Sequence, residues 1–177
     1  MTKYPAAYIN FRVYEDSVNE VGVAKVSLPD ITNKAVTIMG SGMMGDVSVP
    51  ILGMIENMEL GLDFLSHTDP NTFALFLEQR KHQIEIRVAE EYWDIEDAEI
   101  GVWPNKYVFI ARPKSMKSGG ISPAAAADST GQLDVYVYAA YRDGVELWYI
   151  DNLFQQGDDF WRFDLICGIF NHQQLAI

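Results

Sequence analysis

The sequence predicts a mainly β protein, an antiparallel β-barrel or sandwich with one flanking α-helix. Three observations point there. Stretches of alternating apolar and polar residues recur from Ala7 to Asp151. Turn residues separate them. Only one stretch, from Asp69 onward, carries apolar residues at helical spacing. The chain has 177 residues, 49% of them hydrophobic, which is enough for a globular domain with a real core. No repeat or linker divides it, so a single domain over 1–177 is expected.

The elements follow in order. Ala7–Tyr14 is rich in β-formers and is broken by Glu15-Asp16-Ser17. Val21–Leu28 reads as a second strand stopped at Pro29-Asp30, the two forming a hairpin or neighbouring strands. Lys34–Met39 is a short β-branched run that ends in Gly40-Ser41-Gly42-Met43-Met44-Gly45, after which Val47–Val49 is again extended. Met58, Leu60, Leu62 and Phe64 alternate with Glu59, Gly61 and Asp63, the pattern of a half-buried strand with carboxylates on its wet face. Asp69 is a good N-cap and Pro70 suits the first helical position. The helix is expected to run about twelve residues, with Phe73, Phe76 and Leu77 as its apolar stripe. His82–Val88 and Tyr107–Ala111 read as strands, and Lys114–Gly131 as a long Ser-, Gly- and Ala-rich loop. Leu133–Tyr141 alternates, with Leu133, Val135, Val137 and Ala139 on one face and Asp134, Tyr136 and Tyr138 on the other. Asp143-Gly144 signals a tight hairpin into Glu146–Asp151, and Phe160–Phe170 is strand-like. That makes eight or nine strands and one helix.

Composition excludes several function classes. A net charge of −12, from 13 basic and 25 acidic residues, opposes a direct grip on nucleic-acid phosphates. No apolar run approaches the roughly 18 residues of a membrane span, so no membrane anchor is expected. The first eight residues lack the apolar stretch of a signal peptide, which points to synthesis in a cytoplasm. Cys167 is the one cysteine, in an apolar stretch, and reads as a buried inert thiol.

Catalytic signatures are missing as well. Gly40 to Gly45 matches Gly-x-Gly-x-x-Gly, but a dinucleotide site needs that run between a strand and a helix, and Asp46–Pro50 is extended. It reads instead as a hairpin tip. Glu90, Glu91, Asp94, Glu96, Asp97 and Glu99 lack the spacing and the glycine of a calcium loop, and read as a solvated acidic loop. His67, His82 and His172 are not spaced with a second metal ligand. Trp93, Trp103, Trp148 and Trp161 read as core or interface anchors. No enzyme activity, cofactor or metal is expected.

Three segments together resemble the major tail-tube family of contractile-tailed phages and phage-tail-like bacteriocins. Gly22–Lys34 (GVAKVSLPDITNK) is similar to that family's G-V-a-x-V-x-L-P-x-l-x-x-K. Gly40–Gly45, followed by Val49-Pro50 and the strand from Met58, is similar to its glycine–methionine loop. Tyr141–Asn152 (YRDGVELWYIDN) resembles its D-G-k-e-L-x-x-I-D hairpin. The Ala- and Ser-rich Lys114–Gly131 departs from the Lys-rich loop of that family, and the tail from Phe160 is unusually aromatic.

The resemblance implies a β-barrel or sandwich with a flanking helix, like the tube proteins of type VI secretion. It implies hexameric rings stacked into a hollow tube within a contractile sheath, part of a virion tail assembled in the host cytoplasm. Partners would be other copies of the chain, the sheath protein, and baseplate and tail-terminator proteins, with DNA passing through transiently. Two residue-level readings go with this. Glu59, Asp63 and Asp134 are candidates for lining the lumen, where carboxylates would repel passing DNA. Met39, Gly40, Ser41, Gly42, Met43, Met44 and Gly45 are candidates for a loop that docks onto a neighbouring subunit, since methionine adapts to irregular apolar grooves. The rival readings are the inner tube of a type VI or extracellular contractile injection system, and a small-ligand-binding β-barrel that uses the tryptophans.

Overall fold

The computed structural model describes residues 3–40, 44–64, 70–120 and 129–152. They form ten strands and one helix, in the order β1 (Lys3–Glu15), β2 (Asn19–Val21), β3 (Val23–Ser27), β4 (Asn33–Ile38), β5 (Val47–Ile55), β6 (Met58–Phe64), α1 (Pro70–Leu77), β7 (His82–Asp94), β8 (Glu99–Lys117), β9 (Ser129–Arg142) and β10 (Val145–Asp151). The described residues divide into two compact units. One holds β1–β3, β6, α1 and β7–β10, and the other holds Asp30–Asn57 with β4 and β5.

The first unit is an antiparallel sheet of eight strands, ordered β2-β1-β7-β8-β9-β6-β3, with β10 also on β9. The predicted mainly-β class is what the chain adopts, with one short helix among the described residues. β9 organises the sheet. Along one side it pairs with β8 from Thr130 to Arg142. Along the other, β6 takes Ser129–Val135 and β10 takes Val137–Arg142, so two strands lie end to end against one.

Several strands run longer than the sequence suggests. β8 continues through Lys114–Lys117, and β9 begins at Ser129, so both ends of the expected long loop are strand. The acidic stretch is not a solvated loop either. Glu90 and Asp94 are buried in β7, and the turn is confined to Ile95–Ala98. The expected single strand from Val21 is two strands. β2 closes a hairpin on β1, whereas β3 pairs with β6.

The core lies on one face of this sheet. Met58, Leu60, Leu62 and Phe64 are all buried and meet Leu133 and Val135 of β9. Burying each such side chain contributes about 1.5–3 kcal/mol. The expected alternation along β9 holds only as far as Val135. There Ile110 pairs with Val137 but Ala111 with Val135, so Tyr136 is an extra residue. Beyond the bulge burial no longer alternates: Val137 and Ala139 are buried as expected, and Tyr138 and Ala140 are buried with them. Tyr138, expected on the wet face, stacks on Phe109 and meets the edge of Trp148.

The helix is eight residues long, shorter than expected. Leu77, predicted inside, is 70% exposed, while Thr72 and Leu75 are buried. Among the described side chains Thr72, Leu75 and Phe76 turn inward, an i, i+3, i+4 set that includes the expected Phe76, while the Phe73 side chain lies outside those described. Asp69, the expected cap, lies outside the described residues, as do His67, His172, Trp161, Cys167 and Phe160–Phe170. His82 fastens the end of the helix. It is fully buried, with Nδ1 2.5 Å from Glu15 Oε1 and Nε2 3.0 Å from the Glu78 carbonyl. Arg80 adds contacts to Glu15 at 3.3 Å and to Asp16 at 3.0 Å.

Phe76 meets Phe64 edge to face at 5.7 Å, and both rings close over Gly131. A Cβ at Gly131 would stand 2.2 Å from Phe76 Cζ and 2.9 Å from Phe64 Cε2. The turn between β9 and β10 uses Asp143 (φ 49°) and Gly144 (φ 78°), as the Asp-Gly signal predicts.

Gly131→Ala is expected to destabilise the protein by about 1–3 kcal/mol through overpacking, and to lower Tm by several degrees. Calorimetry checks this. A Tm equal to that of the parent would show that the Phe64–Phe76 pair can move aside.

Candidate assembly surfaces

The first candidate surface is the solvent face of β3, β6, β9 and β8. Glu59 and Asp134, both expected to line a lumen, are directly opposite each other on β6 and β9. Asp63 stands opposite Thr130 and, on its other side, Lys25 of β3. Residues opposite one another share a face, so these carboxylates have company. Arg112 is opposite Asp134, and Lys117 is opposite Thr130. Lys114 contacts Glu59 closely and reaches Asp134 at 3.5 Å. The hydrogen bond to Glu59 raises the pKa of the Lys114 ammonium above its ordinary value. Three carboxylates and four cations thus share one wet face. Its charge is mixed, a property hidden from any strand read by itself.

The second surface is the β4–β5 hairpin. Its strands pair Val36 with Val49 and Ile38 with Val47. These four side chains are 39–47% exposed, and Met39 is 75% exposed. Every described residue of β4 is exposed. A two-stranded ribbon with its apolar face in water is marginal alone. Of the expected docking loop, Gly40, Met44 and Gly45 are described and exposed, whereas Ser41, Gly42 and Met43 lie outside the described residues. The run follows β4 and precedes strand β5, the setting expected for a hairpin tip and not for a dinucleotide loop.

The third surface was not anticipated. Arg12 of β1 is opposite Arg87 of β7, which is opposite Lys106 of β8. They form a row of like charges across three strands, an arrangement that is unfavourable in itself. Glu85 partly compensates it. Its carboxylate is buried, 2.5 Å from Arg87 Nε, 3.1 Å from Lys106 Nζ and 3.1 Å from Ser17 Oγ. Burial pushes the Glu85 carboxyl up, but the hydrogen bonds from Arg87, Lys106 and Ser17 outweigh it and hold the pKa below the ordinary carboxylate value. Arg12 has Glu20 at 3.9 Å and sits beside Tyr14. An open groove of about 1070 Å³ runs over this row. No single strand shows the row, because each contributes one cation. Only the register assembles it.

Chemistry of other kinds finds little support. No group of three or more His, Cys, Asp or Glu side chains could hold a metal ion among the described residues. The acidic stretch is tied into structure: Glu90 accepts hydrogen bonds from Asn105 at 2.5 Å and Arg142 at 2.9 Å. The described tryptophans do not gather round a cavity. Trp103 stacks on Tyr92 under Arg142, Trp148 packs on Tyr138, and Trp93 is exposed. No helix among the described residues is long and apolar enough to cross a membrane.

The lowered pKa of Glu85 sets a pH dependence. A carboxyl held lower in the folded than in the unfolded state adds stability above the unfolded value, and that stability is lost as pH falls through the folded value. Glu85→Gln is therefore expected to lower the urea midpoint at pH 7 and to flatten the fall in stability below about pH 4.5. Urea titrations of both proteins from pH 7 to pH 3 check this, and parallel curves would contradict it.

Comparison with known proteins agrees with the architecture. A search of curated protein sequences gives no significant match. The fold is similar to a chain of the sheath–tube complex of PVC, an extracellular contractile injection system in its extended state. The TM-score is 0.55 and the identity 15%, covering 78% of this chain and 92% of the other. A chain of the sheath/tube terminator of the same system matches with TM-score 0.55 and 16% identity, covering 78% of this chain and 97% of that one. A chain of the anti-feeding prophage baseplate matches with TM-score 0.52 and 12% identity, covering 80% and 97%. Residues 5–156 match the family model for phage tail tube protein FII. That span contains every described strand and the helix apart from the first two residues of β1, and the chain belongs to the phage tail tube protein FII family.

Proposed function

We propose that this chain is a non-enzymatic, single-domain structural subunit of the inner tube of a contractile injection machine. Copies form hexameric rings, and the rings stack into a hollow conduit inside a sheath. The observation that carries this reading is the family match over residues 5–156. Two features of the structure support it. The edge of β1 from Lys3 to Arg12 has no partner strand on its outer side among the described residues, which leaves a long edge for closure between copies. The β4–β5 hairpin presents an apolar face that needs cover.

In this reading the tube contacts a sheath protein, a baseplate and a terminator, uses no cofactor, and lets its cargo pass without holding it. For a phage tail that cargo is the genome and the site is the virion. A second reading, the tube of an extracellular injection particle delivering an effector, is favoured by the source of the similar structures. Glu59, Asp63 and Asp134 line the lumen in both readings. Paired with cations on the same face, they make a wall with no strong attraction for either sign of charge.

Purified protein is expected to exceed the 20.0 kDa monomer mass in light scattering and to show rings or tubes in negative stain. A strict monomer at high concentration would overturn the assignment. Deleting residues 41–45 should leave the strand-rich circular dichroism spectrum intact and abolish assembly, because a hairpin tip adds little to its own core. Normal tubes from the deletion would remove the loop from the interface.

Reversing Glu59 and Asp63 to lysine should keep the apolar face of β6 intact while making the shared face strongly basic. The screening length is about 8 Å at physiological salt, so the added charge acts on whatever passes close to the wall. Assembled double-variant tubes are expected to retain duplex DNA that parent tubes release. Equal release would place these residues away from the lumen.

A further inference from the structure

We propose that the groove over Arg12, Arg87 and Lys106 is a docking site for the acidic β7–β8 turn of a second copy of this chain. This rests on the self-assembling reading above and gives it a specific contact. The groove lining contains three cations and a single carboxylate, Asp143. The whole chain has the opposite balance, 13 basic residues against 25 acidic. A basic row on so acidic a chain is complementary to most of the surface that another copy presents.

The β7–β8 turn is the part that fits. Asp97 and Glu99 are exposed at its end, and Ile95 beside them is 49% exposed. The groove offers matching chemistry, with cations in a row and an apolar floor that includes Ala89 and Val108. Adjacent strands are about 4.8 Å apart, so the row spans about 10 Å, the reach of two carboxylates on one turn. The carboxylate of Glu85 is already committed to Arg87 and Lys106 from within the sheet. Incoming carboxylates would add charge-assisted hydrogen bonds from the solvent side, displacing the loose 3.9 Å contact of Glu20 with Arg12.

The turn cannot fold onto the groove of its own chain. Arg87 and Asp94 belong to one continuous strand, and the seven steps between them extend about 24 Å. The contact therefore joins different copies. Knob and groove are different patches of one chain, so the contact is head-to-tail, the kind that closes into rings or propagates as filaments.

Charge exchange tests this. A groove variant carries Arg12→Glu and Lys106→Glu, leaving Arg87 to hold Glu85. A turn variant carries Asp97→Lys and Glu99→Lys. Each alone is expected to need at least tenfold more protein to assemble, as read by light scattering, with circular dichroism confirming the fold. An equimolar mixture should assemble again, because each copy's groove then meets a turn of opposite sign. The milder Arg12→Gln, Lys106→Gln variant should show an intermediate shift, which covers the case of a reversed groove that fails to fold.

Recovery in the mixture supports the proposal. Assembly of either reversed variant at the parent's concentration overturns it, as does a folded mixture that stays apart. Groove variants that fail while turn variants assemble normally would also overturn it, and would point to a different acidic occupant. A parent that never assembles would instead overturn the tube reading, so the two failures are distinguishable.

Discussion

β9 is the strand on which the rest of the first unit depends. It is paired along one side with β8 and shared along the other by β6 and β10, placed end to end. That sharing requires a change of character halfway along. Up to Val135 its inward residues meet β6, and beyond Val137 its neighbour is β10. The extra residue at Tyr136 falls at the junction. A bulge there re-aims the side chains, brings Tyr138 onto Phe109, and leaves the solvent side of the first half free for the charged rows around Asp134. Core and charged face are thus set by one irregularity in one strand.

Much of this was legible in the sequence. The alternation of Met58–Phe64 gave the strand, its faces and its limits without error, because one face is buried and the other wet, the condition under which period two is strongest. The Asp143-Gly144 turn was equally clear, since a tight hairpin restricts its residues to those that tolerate positive φ. Strand lengths were less legible. Lys114–Lys117 and Ser129–Gly131 look like loop because they are polar and small, yet they are held by pairing with each other. Tertiary pairing overrides local propensity there. The register shift at Tyr136 left no mark at all, as nothing in a period-two run announces an inserted residue.

The surfaces divide in the same way. Single-strand reading picked out Glu59, Asp63 and Asp134 as carboxylates of a wet face, and it picked out the run to which the exposed Gly40, Met44 and Gly45 belong. It could not find their cationic neighbours, nor the row Arg12, Arg87 and Lys106, whose members lie 75 and 19 positions apart in the chain. Those relations exist only through register. A useful signal was still present: an acidic chain with few cations invites the question of where those cations are placed.

The solvent-exposed β4–β5 ribbon carries a kinetic consequence. A ribbon with no core of its own is ordered at a cost in conformational entropy, about 1–2 kcal/mol per residue for the backbone. A growing polymer would meet that cost at each addition, against a template that already presents its contacts. In the proposed tube, two free copies meeting in solution would have no such template, since each ribbon presents its apolar face to water. Spontaneous initiation is then slow compared with elongation from a preformed end. A subunit that polymerises as proposed could then be stored at high concentration and start polymers only where another component supplies the first ordered surface, so that the number of filaments would be set by the number of initiators and not by the supply of subunits.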